Sequence, residues 1–161
     1  MIQFLTYNPA EDAPVAFDLT TVGLHPQKVV QWIRAVAADY GFSVGNITYL
    51  LCNDEKILSV NRAFLQHDYY TDVITFDYTT VQRLNGDIFI SLDTVRSNSE
   101  QVGTTFQREL LRILIHGILH LTGQADKTPE TKAEMTHKEE AALGKNQQCI
   151  LSEPTMLTPQ D

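Results

Sequence analysis

The chain has 161 residues, 43% hydrophobic and 20% charged, which is the make-up of one folded domain with its own core and excludes an intrinsically disordered chain. Twelve Lys and Arg stand against 20 Asp and Glu, a formal charge of −8; this argues against broad electrostatic wrapping of nucleic acid but leaves room for a local site built around a cation. No apolar run approaches the ~20 residues of a membrane span. The opening MIQFLTYNPAEDAPVAF lacks the basic and long apolar regions of a signal peptide. Cys52 lies in an apolar run and Cys149 in a polar one, which is no disulfide framework, so a reducing, cytoplasmic setting is expected.

Taken in chain order, residues 2–7 (IQFLTY) alternate as a first strand and 14–17 (PVAF) read as a short second one. HPQKVVQWIRAVAADYGF reads as a helix, with Pro26 in its first turn, Gly41 at its end and Val29, Trp32, Ile33 and Val36 as its apolar stripe. Residues 46–52 form a strand, after which Asn53 or Asp54 caps a helix running to about Gln66. Residues 72–76 and 87–91 read as two further strands separated by a polar turn that ends in Asn85-Gly86. A short helix over 93–101 precedes the strongest helical segment, Phe106 to Leu121, which Gly123 terminates. A last helix starts at Thr128-Pro129 and stops at Gly144. The order predicts an α+β fold: a mixed sheet of four to five strands with helices packed on it, and Leu110, Leu111, Leu114 and Ile118 of the central helix in the core. Residues 1–143 make a single domain, and 144–161 a loosely held tail.

The chemistry concentrates in His116-Gly-Ile-Leu-His120-Leu-Thr-Gly-Gln-Ala-Asp126. Two histidines four apart share one helix face, with Cβ atoms roughly 5–6 Å apart, a reach at which both rings can hold one ion at about 2.0–2.1 Å. Gly123 lets the chain turn back, and Asp126 stands where a third ligand would return, leaving one position open as in catalytic rather than structural zinc sites. Histidines on a helix are also common as ordinary polar-face or core residues. Against that reading, this pair sits in the most apolar helix of the chain, where an unpartnered imidazole is costly. His137, on the later helix, is a rival third ligand. Gly117 stands where zinc peptidases carry the glutamate base of H-E-x-x-H, which disfavours peptide hydrolysis. A mid-helix glycine costs ~1 kcal/mol relative to alanine, which points to close approach of another backbone or of a substrate.

HGILHLTG resembles the signature of the YbeY family, H-G-x-L-H-L-x-G-Y-D-H. Asn61 and Phe64 resemble its L-N-x-x-F-R segment, Thr71 to Phe76 its T-D-V-L-S-F, and Gly86 to Ile90 its G-D-I-x-I. Glu109-Leu110 resembles the E-L opening of its metal helix, and Met135 with Glu139 its M-x-x-x-E. The likeness spans roughly residues 45–143, and several motifs in one order are more specific than any single pattern. It implies a metal-dependent endoribonuclease acting in rRNA maturation and ribosome assembly. It also implies one divalent transition-metal ion, zinc, on His116, His120 and Asp126, with rRNA or small-subunit ribosomal components as partners and neither membrane nor organic cofactor.

The family's Tyr-Asp is Gln124-Ala125 here, and two departures matter more. Asp126 stands in place of a third histidine, which lowers the charge of the metal site by one, weakens the metal as a Lewis acid and makes harder ions such as manganese more competitive. Leu65 stands in place of an arginine associated with RNA handling, and leucine cannot grip phosphate. Asp72 and Arg62 are the candidate substrate-binding residues; for Asp72, with Thr71, the alternative is an ordinary cap before a strand. His67-Asp68-Tyr69-Tyr70 could contact a nucleotide or form a solvated loop, Asp87 reads as turn chemistry, Glu109 and Arg112 fall at pairing distance on one helix, and Cys52 reads as core. A non-catalytic metal-binding assembly factor is the alternative to the nuclease, favoured by Leu65; a metallopeptidase ranks below both.

Overall fold

The computed structural model describes residues 1–8, 13–65, 73–146 and 148–151. Strands β1 (Ile2–Asn8), β2 (Ala13–Ala16), β3 (Ser43–Cys52), β4 (Val73–Asp77) and β5 (Arg83–Ser91) form one sheet in the order β2-β1-β3-β5-β4. β1, β3 and β5 run parallel, and the edge strands β2 and β4 are antiparallel to their neighbours. The helices are α1 (Pro26–Asp39), α2 (Asp54–Val60), α3 (Leu92–Val102), α4 (Phe106–Leu121) and α5 (Pro129–Leu143). The α+β expectation with a mixed sheet holds, and the central helix has the bounds its periodicity indicates. Among the described residues no helix is long and apolar enough to cross a membrane.

The two faces of the sheet are unequal. Alternation places Tyr49, Leu51, Leu84, Ile88 and Ile90 on one face, where they join Val29, Trp32, Ile33, Leu110, Leu111, Leu114 and Ile118 in the main core. Cys52, Ile74, Phe76 and Phe89 point to the other face, where Ile57 and Val60 of α2 form a smaller cluster. Two buried side-chain donors tie the large layer together. Tyr49 Oη donates to the Leu114 carbonyl at 2.7 Å, and Trp32 Nε1 donates to the Ala142 carbonyl at 2.8 Å.

Several expectations need correction. Asn85-Gly86 is not a turn: both residues lie within β5, where Gly86 pairs with Ile47 and with Asp77. The chain reverses earlier, with Thr80 bridged to Arg83 and Gln82 at φ 56°. A type I′ turn needs positive φ at both central residues, and neither Asn85 nor Gly86 has it. Asn85 instead supports the sheet. Its Oδ1 accepts from the Asn46 amide at 2.8 Å, beside the irregularity that shifts the β3–β5 register between Val44 and Ile47. Asp87 is accordingly a strand residue opposite Phe76 and Thr48, not part of a turn. The helix expected to run from residue 54 to 66 ends as an α-helix at Val60 and continues as a π-helix over Asn61–Leu65. The polar run after Gly144 is not loose where it is described. Cys149 is buried, its carbonyl accepts from the His25 amide at 2.7 Å, and Leu24 bridges to Ile150. Burial pushes its thiol up to about 11, and that of buried Cys52 up to about 12, so neither is a reactive thiolate at neutral pH.

Gly117 has a packing reason that is neither a backbone nor a substrate. A Cβ there would lie 2.9 Å from Cδ1 and 3.0 Å from Cγ2 of Ile88, so the missing side chain is what lets α4 settle onto β5. Gly117→Ala gains about 1 kcal/mol of helix propensity but overpacks a buried contact at a cost of about 1–3 kcal/mol. The expected outcome is a net loss of roughly 1 kcal/mol in urea unfolding; a Gly117→Ala protein more stable than the parent would contradict this packing.

Candidate metal centre

Helix α4 is buried nearly all round, so its polar groups must find partners inside the protein. Thr105 caps its first turn, with Oγ1 accepting from the Arg108 amide at 3.1 Å. At its far end Gly123, at φ 100°, closes a Schellman turn: the Gly123 amide donates to His120 O at 2.9 Å and the Gln124 amide to Leu119 O at 3.1 Å. That turn sends residues 124–128 back across the last turn of the helix. Thr128 then starts α5 through a reciprocal pair of hydrogen bonds with Thr131.

This path brings His116, His120 and Asp126 together. Asp126 Oδ2 lies 3.5 Å from His116 Nε2 and 3.4 Å from His120 Nε2, and one ligand atom from each of the three residues falls within 4.8 Å of the others. The hydrogen bonds on the far side of each ring fix what those atoms are. His116 Nδ1 lies 2.5 Å from Glu139 Oε2, and His120 Nδ1 lies 3.1 Å from the Gln124 carbonyl. A carboxylate and a carbonyl only accept, so each imidazole donates through Nδ1 and turns the lone pair of Nε2 inward. With both rings neutral in that tautomer, two nitrogen lone pairs and a carboxylate oxygen face one another. Burial, and next the neighbouring His116, hold the His120 pKa below the ordinary imidazole value, which keeps that lone pair free. Such a set of acceptors suits a dication, and its one-oxygen, two-nitrogen chemistry suits zinc or a somewhat harder ion. His120 and Asp126 are each 28% exposed, which leaves the centre reachable from solvent.

The rival third ligand is elsewhere: His137 is exposed and lines a shallow hollow with Gln124, Ala133, Glu134 and Lys138. Arg62 is exposed on the π-helix that follows α2, the helix packed on the smaller face of the sheet, whereas α4 packs on the larger one. Asp72, Thr71 and the His67 to Tyr70 stretch lie outside the described residues.

Glu109 and Arg112 pair as their spacing indicates, with Arg112 Nε on Glu109 Oε1 at 2.9 Å and Nη2 on Oε2 at 2.6 Å. Sequence reasoning missed that Glu139 joins them. The available signal was its place in an otherwise apolar stripe of α5, with Met135, Ala142 and Leu143, all buried.

The sequence matches the family described as Endoribonuclease YbeY over residues 18–147. An Endoribonuclease YbeY of Bacteroides thetaiotaomicron is 56% identical over 117 residues, covering 73% of this chain and 85% of the relative. One from Phocaeicola vulgatus is 59% identical over 112 residues, covering 70% and 81%. A Thermotoga maritima protein solved in solution superimposes with a TM-score of 0.62 at 22% identity, covering 91% of this chain and 89% of the other, a likeness of fold.

The lowered pKa of His120 has a consequence for stability. Folded His120 binds a proton less readily than the unfolded chain does, so stability is lost as pH falls through the ordinary imidazole value toward the folded one. In metal-free protein, unfolding free energy is expected to decline as pH falls through the ordinary imidazole range, more steeply than in His120→Gln. Identical slopes for the two proteins would mean that His120 is not held neutral by its surroundings.

Proposed function

The chain belongs to the endoribonuclease YbeY family, and we propose that it serves rRNA maturation in the cytoplasm as a metal-dependent endoribonuclease whose single ion, zinc, is held by His116, His120 and Asp126. The observation that carries the reading is the convergence of one ligand atom each from His116, His120 and Asp126 at the reachable end of a buried helix. A divalent cation can be shared by all three of these atoms at once. When bound, the ion supplies a Lewis acid for a phosphodiester oxygen.

The chain's own residues do the rest of what can be assigned. Gln124 O and Glu139 orient the two rings, and the Schellman turn at Gly123 places Asp126. Asp126 brings a negative charge where the family motif has a neutral imidazole, so a dication is more fully neutralised and hard ions compete better. Gly117 gives the helix no carboxylate to act as a peptidase base and fills a packing role instead. Leu65, in place of the motif's arginine, removes one phosphate grip. That substitution is the specific observation favouring the second reading, an assembly factor that binds rRNA or small-subunit components without cutting them; in either reading Arg62 and Asp72 are the candidate substrate-binding residues.

Metal-loaded protein incubated with precursor rRNA separates these readings: cleavage supports the nuclease, and binding without cleavage the assembly factor. One zinc per chain is expected by elemental analysis, and His120→Ala is expected to lose it; full stoichiometry in that variant would overturn the ligand set. Asp126→His is expected to tighten zinc relative to manganese in competitive titrations, and unchanged relative affinities in a folded variant would place Asp126 outside direct coordination.

A further inference from the structure

Glu139 is a carboxylate with only 4% of its side chain exposed, and it is bonded on both oxygens. Oε2 takes His116 Nδ1 at 2.5 Å, and Oε1 takes Arg112 Nη1 at 3.0 Å. Arg112 is itself clamped to Glu109 through two further hydrogen bonds. A continuous line of charge-assisted hydrogen bonds therefore runs from α4 through α5 and back, ending on the His116 ring. Helices α4 and α5 could pack through apolar side chains alone, and a buried ion pair is rarely the more stable solution. Position 139 lies in the apolar stripe of α5, so the carboxylate occupies a place where packing would favour a hydrocarbon. The two rings are also treated unequally. His120 meets a neutral carbonyl at 3.1 Å, while His116 meets a full negative charge at the shorter distance.

We propose that Glu139 is the positioning residue of the metal centre. It locks the His116 ring in one orientation, keeps its proton on Nδ1 and strengthens Nε2 as a donor, while Arg112 keeps the Glu139 carboxylate from turning away. Its negative charge also adds to that of Asp126: with Glu109 and Arg112 cancelling, the centre carries two formal negative charges, which a divalent ion neutralises. This rests on the metal reading above and adds to it a residue that would touch neither ion nor RNA. Partners of this kind are typically worth roughly 10–100-fold in metal affinity.

Zinc titrations against a competing chelator on the parent protein, Glu139→Gln and Glu140→Gln test it. Glu140 sits next in sequence but pairs on the surface with Arg108 at 3.1 Å, so its replacement removes a nearby charge without touching His116. Glu139→Gln is expected to raise the zinc Kd by roughly 10–100-fold, and Glu140→Gln to leave it unchanged. In parallel, nitrogen-correlated NMR of the imidazoles in metal-free parent protein is expected to show the His116 proton on Nδ1, strongly downfield, and moving upfield in Glu139→Gln. Equal zinc affinity in the parent and Glu139→Gln overturns the role of Glu139 while the metal reading stands. A parent protein that binds no zinc or other divalent ion overturns the metal reading and this proposal with it. A His116 proton found on Nε2 in the parent overturns the proposal without any variant, so the NMR measurement decides even if Glu139→Gln does not fold.

Discussion

A helix buried on nearly every side can carry polar residues only if the rest of the chain brings partners to them, and α4 carries several, Glu109, His116 and His120 among them. These three lie on the part of the helix turned away from the sheet, because Leu110, Leu114 and Ile118 commit the opposite part to the main core. The fold after residue 121 can be understood as the answer to that constraint. The Schellman turn returns a carbonyl to His120 and a carboxylate to both rings, and α5 returns along α4 to deliver Glu139. Without the Glu139 carboxylate, Arg112 and His116 would lose a shared partner on a face that α5 itself shields from water.

The sheet contributes by holding α4 still. Tyr49 reaches from β3 to a carbonyl in the middle of the helix, and Gly117 lets Ile88 of β5 come within contact one residue after the first histidine. Two separate contacts at one level of the helix fix its height and rotation over the sheet. Metal ligands must be placed to within a fraction of an ångström to share one ion, so rigidity in this middle turn bears directly on the centre. The mid-helix glycine is thus explained by packing, although it falls between two residues of the metal motif.

Charge is distributed in keeping with this design. The chain is acidic overall, at −8, and the cluster beside α5 is acidic too: one guanidinium, Arg112, is shared by Glu109 and Glu139, and those two carboxylates hold its proton firmly. Asp126 and the two histidines it faces have no such partner: among the described residues no Lys or Arg pairs with them. The net acidity of the molecule and the local attraction for a cation are compatible with a phosphodiester ligand only where an ion intervenes.

Periodic and local features were legible in the order of the amino acids alone. The 3.6-residue pattern set the bounds of α4, and the i, i+4 spacing of His116 and His120 set their shared face. Gly123 set the return of the chain, from which Asp126 followed as the third converging group. Each is a consequence of backbone geometry within a few residues. What required tertiary structure lies where two signals compete or where partners are distant. Asn85-Gly86 has the local chemistry of a hairpin turn, but pairing with β3 on one side and β4 on the other holds both residues in the sheet, and Asn85 serves the Asn46 amide instead. Cys149 follows a polar run, yet it is buried, and its carbonyl is held by the amide of His25 from the far end of the chain. Glu139 is 23 residues from His116, and no periodicity links a residue of one helix to the ring nitrogen of another. Only the antiparallel packing of α5 on α4 decides that contact, because the cost of leaving either group buried and unpaired appears only once the two helices meet.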